Sequence, residues 1–355
     1  MLNSIFSSND MASTSTHDDE PQLNGVHSAD YNIKESDIVT VQPITFPTQN
    51  HFTVAGNLFI RNNSSRSLSA PAIVVDYPMG ATKEQSANLY ATKLAEQGFV
   101  TVSIDTPFWG GSEGEPRNAV SPDLYTEGFS AAVDYLGLQD FVDRERIGGL
   151  GICGSGSFVI SAAKIDPHLK AIATASMYAI GAAARNLLHH EVSVKQRKEI
   201  IAAAAAQRWV EAAGGEIEYT GGIPNQLTNA STAVDRELYD FYRTQRGEFT
   251  PEDTTANLTT HPTLSSNTEF MNFYPFNDIE TISPRPLLFI LGDQAHSHEF
   301  SENTYARAAE LRELLWVPGA GHVDLYDRVE LIPFDKLTQF FRTNLAANGT
   351  SLRVQ

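Results

Sequence analysis

The chain contains one cysteine, Cys153, in the stretch Leu150-Gly151-Ile152-Cys153-Gly154-Ser155-Gly156. A β-type run precedes it and a small-residue helical run follows. A nucleophile carried in the pattern G-x-Nuc-x-G between a strand and a helix sits in a tight, strained turn that tolerates only small neighbours. Gly151 and Gly154 meet that need, and Ser155, also small, stands where the second motif glycine belongs. The free N–H groups and dipole of a helix N-terminus favour a thiolate, and a nearby histidine favours it further. The N–H of Gly154 is one expected oxyanion donor. The second is expected from the loop after the 72–77 strand, Tyr77-Pro78-Met79-Gly80-Ala81, at Met79 or Gly80. A lone cysteine is usually a small buried apolar residue, but the order strand, turn, helix selects the nucleophile. Ser155 is a poorer candidate: it lacks a glycine two residues before it and falls inside the helix.

In this pattern the base comes last in the chain. His322 lies in Pro318-Gly319-Ala320-Gly321-His322-Val323-Asp324, a Gly-rich loop between the last strand and the last helix. The acid is expected after the strand ending at Leu291, where Asp293 is the nearest carboxylate, with Glu299 and Asp324 as alternatives. His296 and His298, with His189 and His190, show no metal-ligand spacing on a helix and read as surface or pocket polar groups. The Gly-rich pieces at 110–114 and 151–156 fit no phosphate-binding pattern. Neither a metal nor a cofactor is expected.

Composition narrows the class. The 355 residues carry 25 Lys+Arg against 43 Asp+Glu, a formal charge of −18. Such a chain repels phosphate backbones and anionic membrane surfaces. Apolar residues make up 41%, enough for a large core. No apolar run approaches the roughly 18–20 residues that span a bilayer. The first residues have neither a basic start nor an apolar h-region, so no secretory signal is expected. One cysteine precludes an intramolecular disulfide, and a reducing, cytoplasmic setting is expected.

Positioning the candidates requires a sheet. Residues 1–37 are acidic and aperiodic and are expected to form a disordered tail. From residue 38, strand-like runs at 38–46, 52–60, 70–78, 99–107, 146–153 and 170–178 alternate with helical segments at 83–98, 124–136 and 154–165. That alternation predicts an α/β fold with a mostly parallel central sheet flanked by helices. It breaks over 180–284, where helical pieces and Thr/Asn/Pro-rich loops follow one another. It resumes with a strand at 286–292, a helix at 302–311, a short strand within 312–321 and a helix at 331–345. The expected division is a core of 38–179 and 285–355 with a largely helical cap inserted at 180–284, too long for a simple connection.

Five stretches carry a resemblance. They are Pro78-Met79-Gly80-Ala81-Thr82-Lys83-Glu84-Gln85, Lys93-Leu94-Ala95-Glu96-Gln97-Gly98-Phe99-Val100, Gly111-Ser112-Glu113-Gly114-Glu115-Pro116-Arg117, Gly151-Ile152-Cys153 and Gly321-His322-Val323-Asp324-Leu325-Tyr326-Asp327. From residue 38 onward the chain resembles the α/β-hydrolases. These pieces together resemble the cysteine-nucleophile proteins related to dienelactone hydrolase, which include fungal polyketide transferases and thiohydrolase-like cyclases. The resemblance implies an enzyme that receives a polyketide acyl chain on Cys153 from a carrier-protein thioester and passes it to a hydroxyl or to water. It carries over Cys153 and His322, leaves the acid open, and suggests that Lys83, Glu84, Gln85 and Arg117 brace the oxyanion loop. Aromatics of the insertion, among them Tyr178, Trp209, Phe241, Tyr242 and Phe270, are candidates to line the acyl site. The competing readings are a small-lactone or ester hydrolase and a non-catalytic binder. The oligomeric state is open, a homodimer being one option.

Overall fold

The computed structural model describes residues 36–62 and 69–347, so nearly all of the expected acidic tail lies outside the described residues. Eight strands form one sheet: β1 (Val39–Pro47), β2 (Thr53–Arg61), β3 (Ala70–Asp76), β4 (Val100–Ile104), β5 (Val142–Ile152), β6 (Leu169–Ala175), β7 (Leu287–Gly292) and β8 (Arg312–Val317). Their order is β1-β2-β4-β3-β5-β6-β7-β8. β1, β2 and β4 pair antiparallel, and every pair from β4 through β8 is parallel. β7 is buried along its whole length, which is why it reads as an unbroken apolar run; β4 is equally buried but alternates, its Thr101 and Ser103 hydroxyls donating to the Ala91 carbonyl and Asn88 Oδ1.

Helices α1 (Ser86–Glu96), α2 (Pro122–Gly137) and α3 (Ser155–Ile165) follow β3, β4 and β5, and α9 (Phe334–Asn344) closes the described chain. Two adjacent glycines of β5 show how the faces are covered. Successive strand residues point to opposite faces. A Cβ on Gly148 would meet Phe341 of α9, and one on Gly149 would meet Val159 of α3. The two helices therefore press on opposite sides of β5, against backbone that only glycine leaves bare.

Between β6 and β7 lie α4 (Ile180–Asn186), α5 (Val194–Ala212), α6 (Ala233–Tyr242) and short 3-10 turns at Asn267–Asn272 and Ile279–Ile282. Reciprocal capping starts two of these helices: Ser193 with Gln196 for α5, and Thr232 with Asp235 for α6. After β7 come α7 (His298–Arg307) and a one-turn helix α8 (Asp324–Asp327). α7 starts four residues before the segment the periodicity picks out, and α8 is too short to have a periodicity at all. Arg246 clamps the inserted segment to α8 by a two-pronged ion pair with Asp327, Nη2–Oδ1 2.7 Å and Nε–Oδ2 2.9 Å.

Candidate active site

Cys153 occupies the turn between β5 and α3 with φ 54°, in the left-handed region that L residues seldom adopt. Its neighbours have no room for side chains. A Cβ on Gly151 would come within 2.4 Å of the Ser155 carbonyl oxygen, and one on Gly154 within 2.7 Å of Met79 Cβ. The departure at Ser155 has a structural reason. Its buried hydroxyl accepts from the Ile152 N–H at 2.7 Å and donates to the Asp76 carbonyl at 2.9 Å. Ser155 thus ties the end of β5 to the end of β3, pointing away from the nucleophile position.

The loop after β3 brings the second donor. The N–H groups of Met79 and Gly154 both hydrogen-bond the Cys153 sulfur. Of the two expected alternatives, Met79 faces the sulfur, while Gly80 supplies the turn, with φ 85° and its Cα against Thr260. The loop is braced from behind. Lys83 Nζ lies 2.6 Å from Asp105 Oδ2, and Asp105 also accepts from the Lys83 and Gly111 N–H groups. Arg117 donates to the carbonyls of Ser112 and Gly110 at 2.6 and 2.5 Å, holding the adjoining 110–114 turn. The Gln85 carboxamide donates to the Gly247 carbonyl, fastening this loop to the inserted segment.

His322 is fully buried, and both its ring nitrogens have partners. Nε2 lies 2.9 Å from the Tyr326 hydroxyl, and Nδ1 lies 2.5 Å from Ser297 Oγ. The Tyr326 hydroxyl also hydrogen-bonds the Cys153 sulfur, so it stands between nucleophile and imidazole. Tyr326 sits four residues after His322, on α8, one helical turn away. Phe241 and Tyr242 of α6 pack edge-on against its ring.

The carboxylate expected at His322 is elsewhere. Asp293 is exposed and accepts from the Gly319 N–H at 2.7 Å, where it shapes the loop leading to His322 without reaching the imidazole. Glu299 accepts from the His189 N–H, and Asp324 from the Gly321 N–H. The side chain on Nδ1 is an uncharged serine. A different carboxylate comes close from the inserted segment. Glu237 of α6 accepts from the Val323 N–H at 2.8 Å through Oε1 and meets His296 Nδ1 at 3.1 Å through Oε2. The His296 ring in turn lies over His322, with 4.7 Å between centroids. Ser297, Tyr326 and Glu237 escape a linear reading, although the four-residue spacing from His322 to Tyr326 was visible. Among the described residues, no three His, Cys, Asp or Glu side chains gather as a metal site.

Electrostatics corrects the thiolate expectation. Burial pushes the Cys153 thiol up to about 11, and the hydrogen bonds from Tyr326, Gly154 and Met79 only partly offset it. Burial, with a smaller contribution from the charge of His296, holds His322 well below the usual imidazole range. The pair therefore rests as thiol and neutral imidazole.

Cys153 opens on an apolar cavity of about 80 Å³, walled by Met79, Trp109, Tyr178, Ile180, Ile223 and Phe270, with His296 and His322 at its polar end. Tyr178 and Phe270 thus line it. Phe241 and Tyr242 support Tyr326 instead, and Trp209 lies on the outside of the molecule, 82% exposed. No helix among the described residues is long and apolar enough to cross a membrane.

No protein-family model matches the chain. It is 42% identical over 302 residues to the uncharacterized protein PA2218 of Pseudomonas aeruginosa, an alignment covering 85% of this chain and 80% of that one. The crystal structure of PA2218 superposes with a TM-score of 0.84, covering 92% of this chain and all of the other. The uncharacterized protein YcjY of Escherichia coli is 34% identical over 257 residues, 72% of this chain and 82% of its own. At greater distance, the acyltransferase drtE of Aspergillus calidoustus is 24% identical over 253 residues, 71% of this chain and 77% of its own. Other fungal relatives, 24% and 20% identical, are named as a thiohydrolase and a polyketide transferase. The α/β hydrolase GrgF of Penicillium sp. sh18 shares the fold with a TM-score of 0.72 at 20% identity, covering 87% of this chain and all of its own. The chain adopts the α/β-hydrolase fold and belongs to the family of PA2218 and YcjY.

Proposed function

We propose that the protein is a cysteine-dependent acyl-transfer enzyme. It takes an acyl chain from a thioester onto Cys153 and delivers it to a hydroxyl, internal or external, forming a lactone or an ester. The observation that carries this reading is the pair of N–H groups, Met79 and Gly154, converging on a left-handed cysteine at the mouth of an apolar cavity. The names of the fungal relatives support the choice of an acyl thioester, with a polyketide carrier protein as donor. Acyl exchange between two thiols is nearly isoenergetic, so a cysteine loads readily from such a donor.

Because the thiol rests protonated, deprotonation accompanies attack. The thiol proton passes to the Tyr326 oxygen as the Tyr326 hydroxyl proton passes to His322 Nε2. The sulfur bonds to the acyl carbon, and the carbonyl electron pair moves onto oxygen, towards which the Met79 and Gly154 N–H groups turn. Collapse of that intermediate breaks the bond to the donor sulfur, which leaves with the proton returned from His322. In the second half, His322 takes the proton of the incoming hydroxyl, the oxygen attacks the acyl carbon, and Cys153 regains its proton.

The cavity favours a second reading beside the first. At about 80 Å³ it is smaller than the roughly 150 Å³ that admits benzene in an engineered core. Hydrolysis of a short acyl ester or thioester, with water as acceptor, would fit that volume. A longer chain would require the inserted segment to shift.

Incubation with acyl-N-acetylcysteamine thioesters of graded length, with and without a distal hydroxyl, tests both. Intact mass should show an acyl adduct on the wild type and none on Cys153→Ala. Product mass then separates lactone or ester from free acid. An adduct that persists in Cys153→Ala, or neither adduct nor turnover across the series, overturns the proposal.

A further inference from the structure

The helix α5 has more apolar surface than the fold covers. Of its 19 residues only Ala204 and Gln207 are buried, with Arg197, Ile200 and Glu211 half-buried along the same stripe. The outward face repeats at helical spacing through Val194, Ile201, Ala205 and Trp209, which are exposed. Val194, Ile201 and Trp209 stand 63%, 44% and 82% exposed, and Val210 beside them 48%. Scattered surface apolar residues need no explanation, but a stripe along about 23 Å of helix does.

The charges on α5 say what covers it. Cations are favoured at a helix C-terminus and anions at the N-terminus. On α5 the order is reversed. The exposed Lys195 and Lys198 stand at the N-terminal end with no acid in the first turn, Glu199 following 3.9 Å from Lys195 and Arg197 turned onto the Arg185 carbonyl; Glu211 stands in the last turn with no base there, Arg208 lying just before it. The exposed Glu216 and Glu218 follow just beyond. A second α5 packed antiparallel resolves the conflict. Each basic N-terminal end then meets the negative C-terminal end and acidic turn of its twin. A two-fold axis near Ala205 also sets Ile201 against Trp209 of the second copy. The small Ala202, Ala205 and Ala206 allow the axes to approach to about 8–10 Å.

We propose that α5 is the contact of a symmetric homodimer in which two copies of this helix pack antiparallel through Ile201, Ala205 and Trp209. An isologous interface of this kind needs no other partner. One helix pair buries less than the ~800 Å² per partner of a standard interface, so the dimer should dissociate in the micromolar range.

Sedimentation velocity and light scattering on the full chain between about 1 and 100 µM test the proposal. The wild-type mass should rise from 38.9 kDa towards twice that value. Trp209→Gln and Ile201→Gln should each remain monomeric throughout, with circular dichroism and melting temperature as in the wild type at the lowest concentration. Because both positions are solvent-exposed, neither change should impair folding. Raising salt should weaken the dimer several-fold, since its ends are held by opposite charges. A wild type that stays monomeric, a dimer that survives both substitutions, or a dimer that salt strengthens each overturns the proposal.

Discussion

In the acyl-transfer mechanism proposed above, Cys153 is activated by position rather than by a standing charge. A thiol held near 11 has almost no thiolate at neutral pH, so its reactivity must come from a proton path that opens as the sulfur attacks. The Tyr326 hydroxyl is placed on that path, next to Cys153 and His322 at once. Tyr326→Phe should therefore lower kcat/KM by about 10²-fold or more, in the range of a lost acid–base group. Cys153→Ala should abolish acyl loading outright. Steady-state thioester turnover measures the first effect. A Phe variant with wild-type kcat/KM would mean that His322 reaches the sulfur directly and that the phenol only packs.

The elements explain what a linear reading captured and what it missed. Cys153, Met79 and His322 each follow a parallel strand, where the chain has one short route off the sheet, so order along the sequence maps onto position in space. The strand-to-helix turn is equally legible, down to the small residue at 155. The partners of His322 are not. Ser297 and Asp293 leave the same strand four residues apart, and only the path of the following loop decides that the serine meets the ring while the aspartate meets Gly319. The resting protonation was missed for a different reason: motif spacing reports the helix end that favours a thiolate but carries no measure of burial. Glu237 lies on α6, 86 residues before its contact at Val323, and no pattern links the two. Its role can be separated by substitution. Glu237→Gln keeps an acceptor for the Val323 N–H but loses the charge facing His296, whereas Glu237→Ala loses both. Denaturant unfolding should show the alanine variant less stable by about 1–2 kcal/mol, and its kcat/KM should fall further than that of the glutamine variant. Equal activities in the two would restrict Glu237 to shaping the backbone at 323.

At the scale of the whole molecule, burying a neutral acid–base pair makes stability depend on pH from both sides. The folded-state pKa of His322 lies below the unfolded value near 6.5, so below that pH the unfolded chain binds a proton that the folded chain refuses. Its contribution is complete above about 6.5 and is lost as the pH falls towards the folded value. Cys153 acts in the opposite direction. The unfolded thiol ionises near 8.5 and the folded one near 11, so stability is lost as the pH rises between them. Unfolding free energies measured across pH should decline on both flanks. His322→Asn should flatten the acid flank relative to the wild type, and Cys153→Ala the alkaline one. If the acid flank of His322→Asn parallels that of the wild type, other groups govern it.

Three of the contacts by which the segment between β6 and β7 holds the core lie beside different parts of the candidate site. Gly247 takes the Gln85 side chain behind the oxyanion loop, Arg246 holds Asp327 beside Tyr326, and Glu237 holds Val323 next to His322. In most enzymes that share a core and differ in their insertions, recognition can be exchanged while the catalytic machinery stays in place. Here a chimera that received a foreign segment between β6 and β7 would lose anchors for the 79–85 loop, Tyr326 and His322 together, which the proposed mechanism uses as donor, relay and base. Substrate preference and turnover should therefore change as one trait, both in laboratory recombination and in the divergence of relatives. A productive graft would have to bring its own equivalents of residues 237, 246 and 247.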